Sequence, residues 1–279
     1  MAHHNLTIVS VHGHTNGAAT IPAIVKSMKE LPGSRGLLLS PAKPDNLPDS
    51  IYWQQIGTLD YRSYSTFIMH CLYAFIETDF CLIVQDDGWV LDGKNWRDEY
   101  YDYDYIGGIT HAGLKDNKLF LGFTWIREHD PILVLNGGFS LRSRKFLEAP
   151  NKYGIAQSFS QEIHLWNEDV QLSCLKRKLF EDLGFKYAPN EVAKTFSMEY
   201  VAPEFHDDLD FSKLLGHHCT SRKLMGDNAI FVPRTKDQID AIYRESEFLD
   251  YLKSTGYDIF YAPPNLNQAR IASWNPSFY

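Results

Sequence analysis

An alternation of apolar strands and amphipathic helices predicts an α/β fold for this 279-residue chain. Two adjoining segments carry that expectation. Residues 80–84, Phe-Cys-Leu-Ile-Val, form a run of five apolar residues, long enough for a strand buried on both faces. Just before it, Tyr64, Phe67, Ile68, Cys71, Leu72, Phe75 and Ile76 recur at i, i+3, i+4, i+7, i+8, i+11 and i+12, a broad stripe on one helical face. Helix 61–77 therefore feeds straight into strand 80–84 as one αβ unit, with Cys81, Ile83 and Phe75 in the core.

The other elements follow in order. Residues 6–11 read as a first strand, 21–31 as a helix stopped by Pro32-Gly33, and 36–40 as a second strand. Three prolines make 41–48 a loop, and Asp60 is the N-cap expected for helix 61–77. Residues 118–126 and 132–141 are rich in β-formers and are expected to pair across Glu128-His129-Asp130-Pro131. Residues 167–183 read as a helix ended by Gly184. Thr235-Lys236-Asp237-Gln238 fits a capping box, and Ile239, Ile242, Leu249 and Leu252 extend an amphipathic helix to Gly256. A short strand at 257–261 and a tail containing Pro, Asn and Trp complete the chain.

Composition narrows the function. Hydrophobic residues at 44% and charged residues at 22% describe a globular chain able to bury a sizeable core. A formal charge of −8 argues against a general nucleic-acid binder. No apolar run approaches a membrane-spanning length, and the opening Met-Ala-His-His-Asn lacks a secretory pattern. Cys71, Cys81, Cys174 and Cys219 are widely spaced and read as reduced, mostly buried thiols of a cytoplasmic protein.

Candidate chemistry begins where strand 80–84 stops. Gln85, Asp86, Asp87 and Gly88 lie at a strand's carboxyl end, where open α/β sheets bind ligands. Adjacent carboxylates repel unless a cation offsets them, and a divalent metal so held usually also grips phosphates; a polar turn is the plain alternative. Asn136-Gly137-Gly138 signals a bulge or a close backbone approach. Arg142, Arg144 and Lys145 follow, able to meet phosphate or to open a solvated helix. His12-Gly13-His14 after the first strand, with Glu168, Asp169, His206 and His217, suggests a metal-dependent hydrolase. A barrel of that kind would need eight strand–helix repeats, about twice what the pattern offers.

The segments Cys81 to Gly88, Trp96, Tyr103-Asp104-Tyr105-Ile106-Gly107, the block running from Asn136-Gly137-Gly138-Phe139 to Arg144-Lys145, and Asn167-Glu168-Asp169-Val170 together resemble the DUF5672 family of glycosyltransferase-like proteins. The resemblance runs from about residue 61 to about residue 219. It implies a GT-A-like, Rossmann-type mixed sheet flanked by helices over 1–220, with 221–279 as a C-terminal accessory extension packed on the same domain. It also implies a nucleoside-diphosphate sugar as donor, a glycan hydroxyl as acceptor, and Mn2+ or Mg2+ as cofactor. Bacterial surface polysaccharide is the acceptor implied, and peripheral membrane contact stays open. Gln85-Asp86-Asp87 then stands at the family's Asp-x-Asp position with an amide replacing the first acid. On this resemblance Asp87 and His218 hold the metal, Asp169 or, second, Glu168 is the general base, and Val11, His12, Thr15, Asp60, Tyr64, Gln85, Asp86, Asn136, Gly137 and Gly138 bind the sugar nucleotide. A non-catalytic binder would keep that pocket without needing Asp169.

Overall fold

The computed structural model describes residues 2–116, 118–122, 128–158 and 166–263. Thirteen strands lie in these residues: β1 Leu6–Val11, β2 Arg35–Ser40, β3 Ile51–Gln55, β4 Phe80–Ile83, β5 Gly88–Val90, β6 Tyr105–Lys115, β7 Lys118–Leu121, β8 Ile132–Ser143, β9 Ser197–Met198, β10 Gly216–His218, β11 Lys223–Leu224, β12 Ala229–Val232 and β13 Asp258–Tyr261. The main sheet has the order β3-β2-β1-β4-β8-β6-β9-β10-β5, with β7 paired to β6, and the last three strands form a small second sheet.

β3, β2, β1 and β4 run parallel, whereas β8 lies antiparallel between β4 and β6. The chain leaves β1 for β2 and β3 on one side and returns through helix α2, Tyr61–His70, to β4 on the other. Such a reversal opens a crevice at the carboxyl ends of the two central strands.

The apolar run at β4 is explained by its position, since both faces are covered. Leu82 and Val84 join Leu6, Ile8 and Ile24 of helix α1, Ile21–Glu30, on one side. Cys81 and Ile83 meet Val9, Ile68, Leu72 and Ile76 on the other. Burying each such aliphatic chain stabilises by about 1.5–3 kcal/mol, so the two layers lock β4 in register. Phe248, Leu249 and Leu252, from the helix Glu245–Ser254, share the first core.

Several expectations change. Helix α2 ends at His70 and a 3-10 turn, Leu72–Phe75, replaces its last part, which leaves Cys71 exposed and Phe75 half-buried. β7 pairs with β6, not with the 132–141 segment: residues 132–135 of β8 take one edge of β6, and β7 takes the other edge at residues 112–115; residues 123–126 lie outside the described residues. The helix expected over 167–183 is a short turn, Glu168–Val170, a π-helical turn, Gln171–Leu175, and a separate helix, Arg177–Asp182. The capping box at Thr235 forms, but its helix stops at Asp240, and a second starts after Arg244, whose φ of 50° no helix accommodates. The tail from residue 264 lies outside the described residues.

Candidate active site

A cavity of about 280 Å³ opens at the ends of β1 and β4. It brings together Val11, His12, Tyr64, Gln85, Asp86, Asp87, Asn136, Gly137, Gly138, Glu168, Asp169 and His218, twelve of the fourteen residues to which the family resemblance gives a role. Thr15 and Asp60 do not line it. Asp60 caps helix α2 instead, exchanging hydrogen bonds with Ser63 in a capping box at an exposed position. Thr15 is exposed, and its amide reaches back to His12 Nδ1 at 3.5 Å.

The strand-end acids occupy unequal surroundings. Asp86 is buried against Lys223, whose Nζ donates to Oδ2 at 3.0 Å, while its Oδ1 has no hydrogen-bond partner. Burial and the neighbouring Asp87 push its carboxyl up, with Lys223 opposing. Asp87 is 2% exposed and thus no surface acid. Burial works against its ionised form, but His218, with Nε2 3.2 Å from Oδ1, holds the carboxyl below the ordinary range.

His218 Nε2 also lies 3.1 Å from Gln85 Oε1, and Gln85 Nε2 donates to the Tyr64 hydroxyl at 2.9 Å. One carboxylate oxygen, one amide oxygen and one imidazole nitrogen thus converge. Gly138 makes room for them, since a Cβ there would stand 2.3 Å from His218 Nε2 and 2.7 Å from Gln85 Oε1. Among the described residues no three His, Cys, Asp or Glu side chains form a metal cluster. The carboxylate and amide oxygens suit Mn2+ or Mg2+, and the imidazole favours Mn2+ of the two, in a shell that substrate phosphates and water would have to complete. The residues fit a shared cation rather than an all-protein cage.

The other end of the cavity separates Glu168 from Asp169. Glu168 is gripped by buried Arg142, with Nη2 donating to Oε1 at 3.0 Å and Nη1 standing 2.9 Å from Oε2. That fork removes Glu168 as a free base and Arg142 as a phosphate ligand. Gly137 is required here, because a Cβ would meet Glu168 Oε1 at 2.2 Å. Among the described residues Asp169 has no cationic partner within ion-pair distance and accepts the amides of Val170 at 2.8 Å and Gly137 at 3.3 Å. Burial, and then the adjacent Glu168 charge, push its carboxyl up to about 6. Asn136 Oδ1 turns back to accept the amides of Gly138 and Phe139. The paired glycines therefore admit the site's own side chains to the backbone.

The remaining candidates scatter. Arg144 pairs with Glu148, and Lys145 reaches Asp104. His217 is buried edge-on to Trp89 at 4.1 Å, and His206 accepts the Ala202 amide. His14 is exposed and only His12 of the His-x-His pair lines the cavity, so the ligand set of a hydrolase does not assemble.

Sequence reasoning missed Glu199, Lys223, Tyr61 and Thr220. Glu199 lines the cavity just beyond β9 with Oε2 buried and unpartnered. Burial pushes its carboxyl up to about 7 even though His218 opposes the shift. Glu199 follows a two-residue strand, Thr220 sits in a turn, Lys223 opens the two-residue β11 and Tyr61 opens helix α2, so no periodicity flags any of them. Lys223 alone carried a usable clue, since a lysine shortly after a candidate histidine ligand can balance nearby acids.

Fold and site together define an α/β protein with a carboxylate-lined cleft at a strand reversal. A protein-family model described as "Protein of unknown function (DUF5672)" matches residues 54–218, and the chain belongs to that family. No curated protein matches it. Among solved structures it is similar to the galactosyltransferase LgtC in complex with donor and acceptor sugar analogs, at 13% identity and a TM-score of 0.45, covering 89% of this chain and 95% of that one. It is also similar to the apo-form glycosyltransferase GlyE of Streptococcus pneumoniae TIGR4, at 12% identity and a TM-score of 0.43, covering 96% of this chain and 62% of that one.

Proposed function

We propose that this protein is a GT-A-like glycosyltransferase that moves a sugar, a hexose or a related one, from a nucleoside-diphosphate sugar to a hydroxyl of a glycan. One observation carries the reading. A single cavity sets a cation- and phosphate-competent group, Gln85, Asp87 and His218, beside Asp169, a carboxylate without a cationic partner among the described residues, whose carboxyl, pushed up to about 6, suits a general base near neutral pH.

Asp169 takes the proton from the acceptor hydroxyl as that oxygen bonds to the sugar's anomeric carbon and the bond to the diphosphate breaks. Arg142 holds Glu168 and thereby fixes the turn that presents Asp169. Val11 and His12, at the end of β1, receive the base and ribose. Burial lowers the pKa of His12, so its imidazole is neutral there. Asp87, His218 and Gln85 would hold Mn2+ or Mg2+, which would neutralise charge gathering on the leaving diphosphate. Lys223 limits the demand by already balancing Asp86.

A growing bacterial surface polysaccharide fits as acceptor, with the reaction in the cytoplasm, where sugar nucleotides are made, and peripheral contact with the membrane allowed. Residues 1–220 form the transferase domain and 221–279 an extension, whose described part, residues 221–263, packs on it. Among the described residues no helix is long and apolar enough to cross a membrane.

Isothermal titration of UDP-, GDP- and related sugar nucleotides, with and without MnCl2, tests the reading. Micromolar binding of one sugar nucleotide with manganese is expected, together with transfer that falls by about 10²–10⁴ in Asp169→Asn. Absence of any nucleotide binding would sink it. Binding without turnover in the wild type would favour a non-catalytic sugar-nucleotide binder.

A further inference from the structure

Resting on the transferase reading, we propose that Glu199 recognises a hydroxyl of the transferred sugar and makes the site select the sugar as well as the nucleotide. Glu199 follows β9, which lies between β6 and β10, and β10 carries His218. Its carboxyl interacts electrostatically with His218 at the cation end and with Asp169 at the base end. The sugar must lie between those two ends, bonded to the leaving diphosphate on one side and open to the acceptor on the other.

The carboxyl is held ready for a ligand. Oε2 is buried with no hydrogen-bond partner among the described residues, in a residue that lines the cavity. A buried oxygen without a partner is costly to leave, so a hydroxyl placed against it would be well rewarded. A phosphate oxygen is a poor match for an ionised carboxylate, since both are negative and both only accept hydrogen bonds. A hydroxyl can donate to a carboxylate or accept from a carboxylic acid, so it matches either form.

The backbone beneath Glu199 is fixed. Arg222 Nη2 donates to the Glu199 carbonyl, Nη1 lies 3.3 Å from His217 Nδ1, and Nε stands 3.1 Å from Glu245 Oε1. All of Arg222 is buried. The clamp fixes where the Glu199 side chain starts, as recognition of one hydroxyl requires.

The test compares bare nucleotides with their sugar conjugates. UDP, GDP, UDP-glucose, UDP-galactose and GDP-mannose are titrated in MnCl2 against the wild type, Glu199→Leu and Glu199→Gln. The wild type should bind one conjugate more tightly than its bare nucleotide. Glu199→Leu should weaken that conjugate by about 10- to 100-fold with the bare nucleotide unchanged. Glu199→Gln, which keeps shape and hydrogen-bonding capacity, should retain most of the gain. Unchanged affinity of Glu199→Leu for the conjugate, or an equal loss for conjugate and bare nucleotide, would overturn the role of Glu199 and leave the transferase reading standing. Failure of the wild type to bind any nucleotide would remove both.

Discussion

Replacing Asp169 by Asn should make the protein more stable at neutral pH while disabling it. The native carboxyl titrates near 6 against an ordinary value of 3.8, because it is buried beside Glu168. Below about pH 4 both folded and unfolded chains hold the proton, and the charge costs nothing. As pH rises from about 4 to about 6 the unfolded chain releases the proton and the native state keeps it, so the wild type loses stability. At about 1.4 kcal/mol per pH unit, the gap sets a ceiling of about 3 kcal/mol. Asp169 is only partly buried by surface area, and Asn can accept just one of the two amides, from Gly137 and Val170, that the carboxylate accepts. A net gain of about 1–2 kcal/mol at pH 7.5 is what remains after that discount. Urea unfolding followed by tryptophan fluorescence between pH 4.5 and 8 measures it. The difference between variant and wild type should grow from near zero to its full value as pH rises. A difference that stays flat across that range, or a variant less stable at pH 7.5, would refute the reasoning.

Other substitutions probe the rest of the site and the sheet. Asp87→Ala should abolish manganese-dependent nucleotide binding, and unchanged affinity in calorimetry with metal present would remove Asp87 from the site. Arg142→Met leaves Glu168 buried without its cation and should cost about 3–5 kcal/mol in chemical denaturation. Gly138→Ala should displace His218 and Gln85 and weaken nucleotide binding more than tenfold, because its Cβ contacts their polar ends well inside van der Waals distance. Ile83→Ala should cost about 2–5 kcal/mol, as expected for a fully buried side chain in the middle of the sheet; a loss under about 1 kcal/mol would contradict the two-sided packing of β4.

The sequence speaks most clearly where burial is continuous. Five apolar residues ending in Gln85-Asp86-Asp87 place both a central strand and the cleft at its end, since a strand covered on both faces carries no polar alternation. β3 escaped notice because an edge strand keeps one side open, and Tyr52, Gln54 and Gln55 blur the alternation. Helix α2 looked longer than it is because Leu72 and Ile76 stay buried after the helix has tightened into a 3-10 turn. In the site, Asp169 and Glu168 look alike in the sequence. What separates them is Arg142, twenty-six residues upstream of Glu168, which pairs with one and not the other. Glu199 had no local pattern at all. Its place follows from β9 lying between β6 and β10, a fact of sheet topology.

Arg222 ties the cleft to a helix that lies beyond the family match at residue 218. Glu245 opens that helix and is as deeply buried as the arginine it neutralises. Trp89 of β5 likewise donates to the Tyr257 hydroxyl, so the sheet's outer edge leans on the same segment. Cutting the chain after residue 220 would discard both Arg222 and its counter-charge, and would uncover Trp89. Cutting after 240 would keep the guanidinium and strand it. The shortest piece that can be expressed with an intact cleft therefore ends past Tyr257, and chimaeras made by exchanging C-terminal segments must carry positions 222 and 245 together.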